Sequence, residues 1–276
     1  MTTITKFLRY PGSKRRMLAF LVQYLPVAED ISGYYAEPFL GSGAVFFSIN
    51  PRRAILADIN PDLITLFEGL CNYPSEIWQK YCDFGDTKED YQTVRDDYRP
   101  DTLAEKAARI LYLNRTCFKG MWRTNTNGNF NVGYGGQDRR WVIDYQNLVE
   151  VSNYLTGAII LCSDFEEIIG SRIEGDFLFL DPPYRPGEID LVNEHYVGRS
   201  FRYSDHKRLG NSLQLAKKRG VRWAMTTSSH PEITRLFRSN YAIDLPQGTG
   251  KKPGVMTTNT GEVLITSYPI NGGIVL

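Results

Sequence analysis

Apolar and polar positions alternate in blocks along this chain, and several apolar blocks are too short for helices. Phe177-Leu178-Phe179-Leu180 is apolar on both faces, the pattern of a strand buried in a parallel sheet. Runs at 34–38, 54–57, 158–162 and 222–226 complete a predicted parallel set, while 241–245 and 262–268 predict an antiparallel pair across a Gly/Pro/Thr-rich loop. Helices are expected to begin near Ser13, Gly43, Asp62, Ser204 and Pro231. Ser204 reads as the N-cap of a run over 205–219 whose Leu209, Leu213 and Ala216 share one face.

The second and third strands lie about a hundred residues apart, far more than a βαβ crossover needs. The excess has helical texture: Thr102-Leu103-Ala104-Glu105 is a capping box, and Leu103, Ala107, Ile110 and Leu111 form a stripe behind it. Residues 62–150 therefore read as an inserted, mainly helical subdomain, with 1–61 and 151–276 forming an α/β domain. Within the insertion, 114–136 is rich in Asn, Gly, Arg and aromatics, and 125–128 between Trp122 and Phe130 predicts a protruding hairpin.

Composition narrows the class. A chain of 276 residues, 42% hydrophobic and 23% charged, is ordinary globular material and excludes disorder. Cys71, Cys82, Cys117 and Cys162 are scattered without a C-x-x-C pair, so neither a disulfide framework nor a zinc site is expected. No signal-peptide pattern or bilayer-length apolar run occurs, and a cytoplasmic protein without membrane or metal is expected. The net charge of +1 hides an asymmetry: acids crowd 83–101, whereas between 112 and 140 Arg115, Lys119, Arg123, Arg139 and Arg140 face one acid, Asp138. Such a local basic footprint suits phosphate contact, the alternative being solvated charged faces.

The candidate chemistry sits at strand ends. Asp181-Pro182-Pro183-Tyr184 closes the 177–180 strand, where open α/β sheets place ligands. Its carboxylate and a prolyl carbonyl can accept both N–H bonds of a planar amine while the ring stacks on its face. Glu37-Pro38-Phe39-Leu40-Gly41-Ser42-Gly43 joins the first strand to a helix. Glycines there let backbone approach a ligand, but no G-x-G-x-x-G or P-loop is present. Asp58 ends the second strand, placed either for ribose hydroxyls or to cap the helix at Pro61-Asp62. Near the start, Tyr10 and Lys14 read as a turn with a basic first helical turn, or as partners for a ring and a carboxylate. His195, His206 and His230 have no nucleophile or ligand set beside them in sequence.

In order, Arg9-Tyr10-Pro11-Gly12-Ser13-Lys14, the Glu37–Gly43 turn, Ala57-Asp58-Ile59-Asn60, Leu113-Asn114-Arg115, Gly128-Asn129-Phe130-Asn131-Val132 and Asp181-Pro182-Pro183-Tyr184 resemble the Dam-type DNA adenine-N6 methyltransferases of the alpha group. The likeness runs through nearly the whole chain. It implies a Rossmann-like methyltransferase sheet with an inserted target-recognition domain, S-adenosylmethionine as cofactor and double-stranded DNA as partner. The protein would act as a monomer, with a dimer on DNA as the alternative. By resemblance Asp181, Pro182 and Tyr184 are catalytic, and Tyr10, Lys14, Glu37, Phe39, Gly41, Gly43, Asp58, Asp164, Phe165 and Asp181 line the cofactor. Arg9, Arg115, Phe118, Lys119, Met121, Arg123, Asn125 and Asn131 would meet DNA, and Tyr196, Phe201 and Tyr203 would shape the pocket for a flipped base or simply pack. The expected target is GATC or a related short site. Two places depart from the pattern: Gly133 and Tyr134 follow Val132 where the family often has proline, and Met121-Trp122-Arg123 is bulkier than the turn of GATC readers. Other readings of the same residues are an N-methyltransferase acting on RNA or a protein amide, and a DNA-binding module without catalysis.

Overall fold

The computed structural model describes residues 7–10, 12–125, 128–184, 201–248, 256–257 and 261–276. His195 and Tyr196 lie outside these. By internal contacts the chain divides into two units. A helical unit holds the described residues of Met1–Ser13 and Asn60–Cys162; a sheet unit holds those of Lys14–Ile59, Ser163–Val192 and Phe201–Leu276. The described strands are β1 (Tyr35–Glu37), β2 (Ala54–Asp58), β3 (Ile159–Cys162), β4 (Phe177–Leu180), β5 (Arg222–Ser228), β6 (Tyr241–Asp244), β7 (Gln247–Gly248), β8 (Met256–Thr257), β9 (Glu262–Thr266) and β10 (Ile274–Val275). The α-helices are α1 (Leu18–Leu21), α2 (Ala44–Ile49), α3 (Pro61–Asn72), α4 (Pro74–Asp83), α5 (Lys88–Asp96), α6 (Leu103–Thr116), α7 (Tyr145–Leu155), α8 (Phe165–Gly170), α9 (Tyr203–Lys218) and α10 (Pro231–Thr234).

In the sheet unit the strands run β10-β6-β9-β5-β4-β1-β2. β1, β2 and β4 are buried along their whole length, the mark of central parallel strands, and β1 pairs in parallel with both of the others. β4 pairs in parallel with β5, setting Leu180 opposite Met225. β9 then turns the sheet antiparallel, pairing with β5 and β6. The expected antiparallel pair of 241–245 and 262–268 is therefore present, and β10 adds a short edge strand beside β6. Leu178 and Leu180 share one core with Leu209, Leu213 and Ala216 of α9, Trp223 of β5 and Ile265 of β9. Because β1, β2, β4 and β5 run in one direction, Glu37, Asp58, Asp181 and the last residues of β5 fall along one edge.

The start of α9 differs from expectation. Ser204 lies inside the helix, and Arg202 is the N-cap residue. Asp205, three residues on, accepts from the Arg202 N–H at 2.9 Å, putting a carboxylate in the first turn where the helix dipole favours it.

The helical unit is built from α3 to α7 with β3. Thr102 and Glu105 form the expected capping box: Thr102 Oγ1 accepts from Glu105 N–H at 3.2 Å and Glu105 Oε2 from Thr102 N–H at 3.0 Å. Thr87–Asp90 and Asp144–Asn147 make two more. Helices α3 and α6 approach closely at Gly69, where an added Cβ would overlap the Ala107 methyl. Overpacking a buried contact costs about 1–3 kcal/mol, more than the helix propensity gained by leaving glycine. Gly69→Ala should therefore lower the thermal midpoint despite the better helix former; an unchanged or higher midpoint in a melt would mean the helices can part there without loss.

Candidate active site

Asp181 follows the last residue of β4, so a strand with no exposed residue ends on a carboxylate. Three donors from three parts of the sheet unit converge on one of its oxygens, Oδ1. Lys14 Nζ approaches to 2.8 Å, the Thr226 hydroxyl of β5 donates at 2.6 Å, and the Tyr184 hydroxyl donates at 3.2 Å. None of these bonds uses Oδ2. Lys14 also stands over the Tyr184 ring, 4.7 Å from its centroid, a cation–π geometry. Sequence reading suggested a ligand carboxylate for Lys14; the carboxylate it meets here is that of Asp181. The Tyr184 hydroxyl has a second acceptor in Glu262 Oε2 at 3.5 Å. Pro182 between them is buried.

Glu37, at the end of β1, is buried. Its Oε2 accepts from the Tyr35 hydroxyl at 2.7 Å and from the Phe46 N–H at 3.2 Å. Burial pushes its carboxyl up to about 8; the Tyr35 and Phe46 hydrogen bonds pull the other way, and the charges of Asp181 and Asp58 add to the rise. Burial likewise drives Tyr184 well above its usual value, helped by Asp181 and Glu262. Glu262 is raised by burial first, against the pull of Lys14.

The glycine turn after β1 is built on left-handed residues, Gly41 at φ 48° and Gly43 at φ 64°. Gly43 ends in the N-cap position of α2, and a Cβ on it would come within 3.0 Å of the Phe47 ring. Asp58 Oδ2 accepts from the Gly41 N–H at 3.0 Å. The cap of α3 is instead Asn60, whose Oδ1 accepts from Asp62 and Leu63 N–H groups at 3.1 and 3.4 Å. The helix-cap reading of Asp58 is thus taken by its neighbour. Beyond the turn, Phe39 stacks on Phe165 with centroids 5.4 Å apart, and Phe201 meets both rings at 5.8 and 5.9 Å. Asp164 caps α8 by accepting from Glu166 N–H at 2.9 Å. It also receives Arg208 of α9 at 2.9 Å, whose guanidinium reaches Glu166 and Asp205 and lies 4.8 Å from the centroid of Phe165.

Thr226, Glu262 and Arg208 were missed in sequence. Thr226 sits on β5, whose register against β4 decides its position; Glu262 sits on β9, whose register against β5 does so; and Arg208 is one arginine among many on an amphipathic helix. Of the histidines, His206 is buried edge-on to Phe201 at 4.8 Å, and His230 Nδ1 accepts from Glu232 N–H at 3.3 Å, capping α10.

In the helical unit, Tyr10 packs against Trp122 with centroids 5.9 Å apart. The backbone N–H of Arg9 donates to Asn114 Oδ1 at 2.9 Å, and its guanidinium donates to the carbonyls of Arg115 and Cys117 at 3.3 and 3.1 Å. The hairpin is short: Thr124 and Phe130 form one bridge, and Asn125 N–H donates to the Asn129 carbonyl at 2.8 Å. Arg123 is tethered across it, its Nε donating to Asn131 Oδ1 at 2.9 Å. Asn125, Asn131 and Lys119 are exposed, Met121 is half-buried, and Phe118 is 49% exposed. A cavity of about 480 Å³ beside the hairpin is lined by Arg95, Arg99, Arg109, Asn125, Asn129 and Asn131, with others. Two members of the basic footprint are interior. Arg115 is 2% exposed and donates to the Arg139 carbonyl; Arg140 is fully buried. The Arg140 guanidinium donates to the carbonyls of Gly85 at 2.6 Å, Tyr81 at 2.7 Å and Phe84, pairs with Asp86 at 2.6 Å, and lies over the rings of Tyr81, Tyr112 and Trp141. Backbone carbonyls outbid water for both side chains, so charge counting overstated the surface.

Among the described residues no helix is long and apolar enough to cross a membrane, and no group of His, Cys, Asp or Glu could hold a metal ion.

Residues 10–248 match the family model described as D12 class N6 adenine-specific DNA methyltransferase. The chain is 29% identical to the type II methyltransferase M1.LlaDCHI of Lactococcus lactis subsp. cremoris, over 95% of each chain. It is 31% identical to the type II methyltransferase M.MjaIII of Methanocaldococcus jannaschii, over 82% of this chain and 84% of that one. The DNA adenine methylase of Vibrio cholerae is 28% identical over 84% of each.

The elevated Glu37 carboxyl makes stability depend on pH. Below the usual carboxylate range Glu37 is protonated in both states; from there up to about 8 only the unfolded chain gives up the proton, so stability falls across that window. Glu37→Gln should flatten the decline in thermal midpoint between about pH 5 and pH 8. Parallel slopes for the two proteins would mean that Glu37 is ionised in the fold.

Proposed function

Since the chain belongs to the D12 class of N6 adenine-specific DNA methyltransferases and methylates adenine in DNA, we propose that Asp181, Pro182 and Tyr184 carry out this reaction on an adenine swung out of the duplex. The observation that carries the proposal is the convergence of Lys14, Thr226 and Tyr184 on Oδ1 of Asp181, which leaves Oδ2 for a substrate amine.

The cofactor is S-adenosylmethionine, which when bound supplies an electrophilic methyl group on a sulfonium sulfur. The residues present suit an adenosyl group. Asp58, fixed through Gly41, can accept from ribose hydroxyls; Phe39 and Phe165 offer an apolar aromatic wall to an adenine, with Asp164 at its edge. The positive φ of Gly41 and Gly43 keeps the turn free of side chains beside them.

The N6 amine of adenine is a weak nucleophile because its lone pair is delocalised into the ring, and in a duplex it is paired. Extrusion costs a few kcal/mol, which stacking on Tyr184, worth about 1–3 kcal/mol, offsets in part. Asp181 Oδ2 and the Pro182 carbonyl then accept the two amine hydrogens. Held so, the nitrogen lone pair leaves conjugation and is aimed at the donor carbon. Positive charge that develops on N6 during transfer faces the Asp181 carboxylate, and fixed acceptors of this kind need no reorganisation as the reaction proceeds. N6 then passes its extra proton to the Asp181 carboxylate or to water, since the donor sulfur would leave neutral and take none.

The helical unit supplies recognition. Arg123, braced by Asn131, reads a base edge in the major groove, with Arg9, Phe118, Lys119, Met121 and Asn125 beside the duplex. Phosphates lie along the cavity of Arg95, Arg99 and Arg109. Arg115, being interior, serves by holding the Arg139 carbonyl rather than by touching DNA. The site is short, GATC or related, and the enzyme acts in the cytoplasm.

Asp181→Ala should abolish methyl transfer to duplex DNA in an assay run beside RNA and protein acceptors; turnover surviving in the variant would remove the proposed amine acceptor. Arg123→Ala should cost about 1–3 kcal/mol on the cognate site and relax preference at one base pair, measured on duplexes varied one position at a time. Unaltered preference would move sequence reading to another side chain.

A further inference from the structure

Among the donors to Asp181, Thr226 alone is fully buried and short. Its hydroxyl donates to Oδ1 at 2.6 Å, within the range of charge-assisted O–H···O⁻ bonds. A β-branched side chain in a strand has restricted χ1, so the hydroxyl is fixed by its own backbone. That backbone is fixed in turn: Thr226 pairs with Leu264 of β9, and the residue before it, Met225, pairs with Leu180, the residue before Asp181. Lys14 reaches the same oxygen on four flexible methylenes, and Tyr184 shares its hydroxyl with Glu262. Both contribute charge or hydrogen bonding without fixing a torsion.

We propose that Thr226 is a positioning residue for methyl transfer: it locks Oδ1 of Asp181 so that Oδ2 is presented to the adenine amine in one orientation. The proposal rests on the reading of Asp181 as the amine acceptor. It goes beyond that reading by making the neighbouring strand, through one hydroxyl, responsible for the rotamer of the catalytic carboxylate. Without the hydroxyl, the carboxylate can rotate about its Cβ–Cγ bond, and the productive geometry becomes one of several. The loss falls on the chemical step, because neither the adenosyl pocket nor the DNA-reading hairpin includes Thr226.

The test compares Thr226→Val, which keeps the branched shape and removes the hydroxyl, with Thr226→Ser, which keeps the hydroxyl. Asp181→Ala is run alongside. Losing a hydrogen bond to a charged group predicts a single-turnover rate lower by about 10- to 100-fold in Thr226→Val. Dissociation constants for duplex DNA and S-adenosylmethionine, by calorimetry, should stay at wild-type values, and Thr226→Ser should recover most of the rate. Wild-type turnover in Thr226→Val with Asp181→Ala inactive overturns the positioning role and leaves the acceptor intact. A Thr226→Ser variant as slow as Thr226→Val also overturns it, since packing would then matter and not the hydroxyl. Turnover in Asp181→Ala instead overturns the acceptor reading beneath it.

Discussion

A carboxylate at the tip of a strand with no exposed residue is costly unless donors surround it, and that constraint organises the sheet unit around Asp181. β4 cannot supply the donors, because Phe177 to Leu180 are hydrocarbon. They come from elsewhere: Lys14 from the first turn after the N-terminal segment, Thr226 from β5, and Tyr184 from the bend after the two prolines. The sheet order places β5 next to β4, so strand pairing and the hydrogen bonding of the carboxylate are one arrangement. A shift of register by one residue would turn Thr226 to the opposite face and leave Oδ1 with flexible partners only.

Glu37 shows the complementary solution. It ends the neighbouring strand and stays protonated to about 8 chiefly because it is buried, with the charges of Asp181 and Asp58 adding to the rise. One strand end carries an acid paired with lysine; the next carries an acid held neutral by burial. Keeping Glu37 uncharged avoids a third negative charge beside Asp181 and Asp58, which leaves the local field to the residues that meet ligands.

Much of this layout was legible beforehand, for identifiable reasons. Strand β4 was read at its observed bounds because burial on both faces leaves an unbroken apolar run. The Thr102–Glu105 box was legible because a cap is local chemistry. Local chemistry also misled: Ser204 is a good cap in isolation, yet Asp205 draws the helix start back to Arg202. Asp58 looked able to cap the helix at Pro61-Asp62, but Asn60, nearer to it, takes that task and Asp58 turns to the Gly41 N–H. Thr226 and Glu262 were hidden because their position depends on which strand lies beside which. Arg115 and Arg140 were misjudged because sequence shows a charge but not the carbonyls that enclose it.

The clasp between Arg115 and the Arg139 carbonyl closes the base of the segment that carries the hairpin, and Arg140 anchors its far side in a cage of rings and carbonyls. Between these anchors Trp122 and Val132 are buried, whereas Asn125, Asn129 and Asn131 are exposed, so substitutions at the exposed positions disturb few contacts on which folding depends. A loop mounted this way is free to drift in evolution. On the role proposed for the hairpin, a change of target sequence needs only a handful of exposed side chains to change while the scaffold beneath stays as it is.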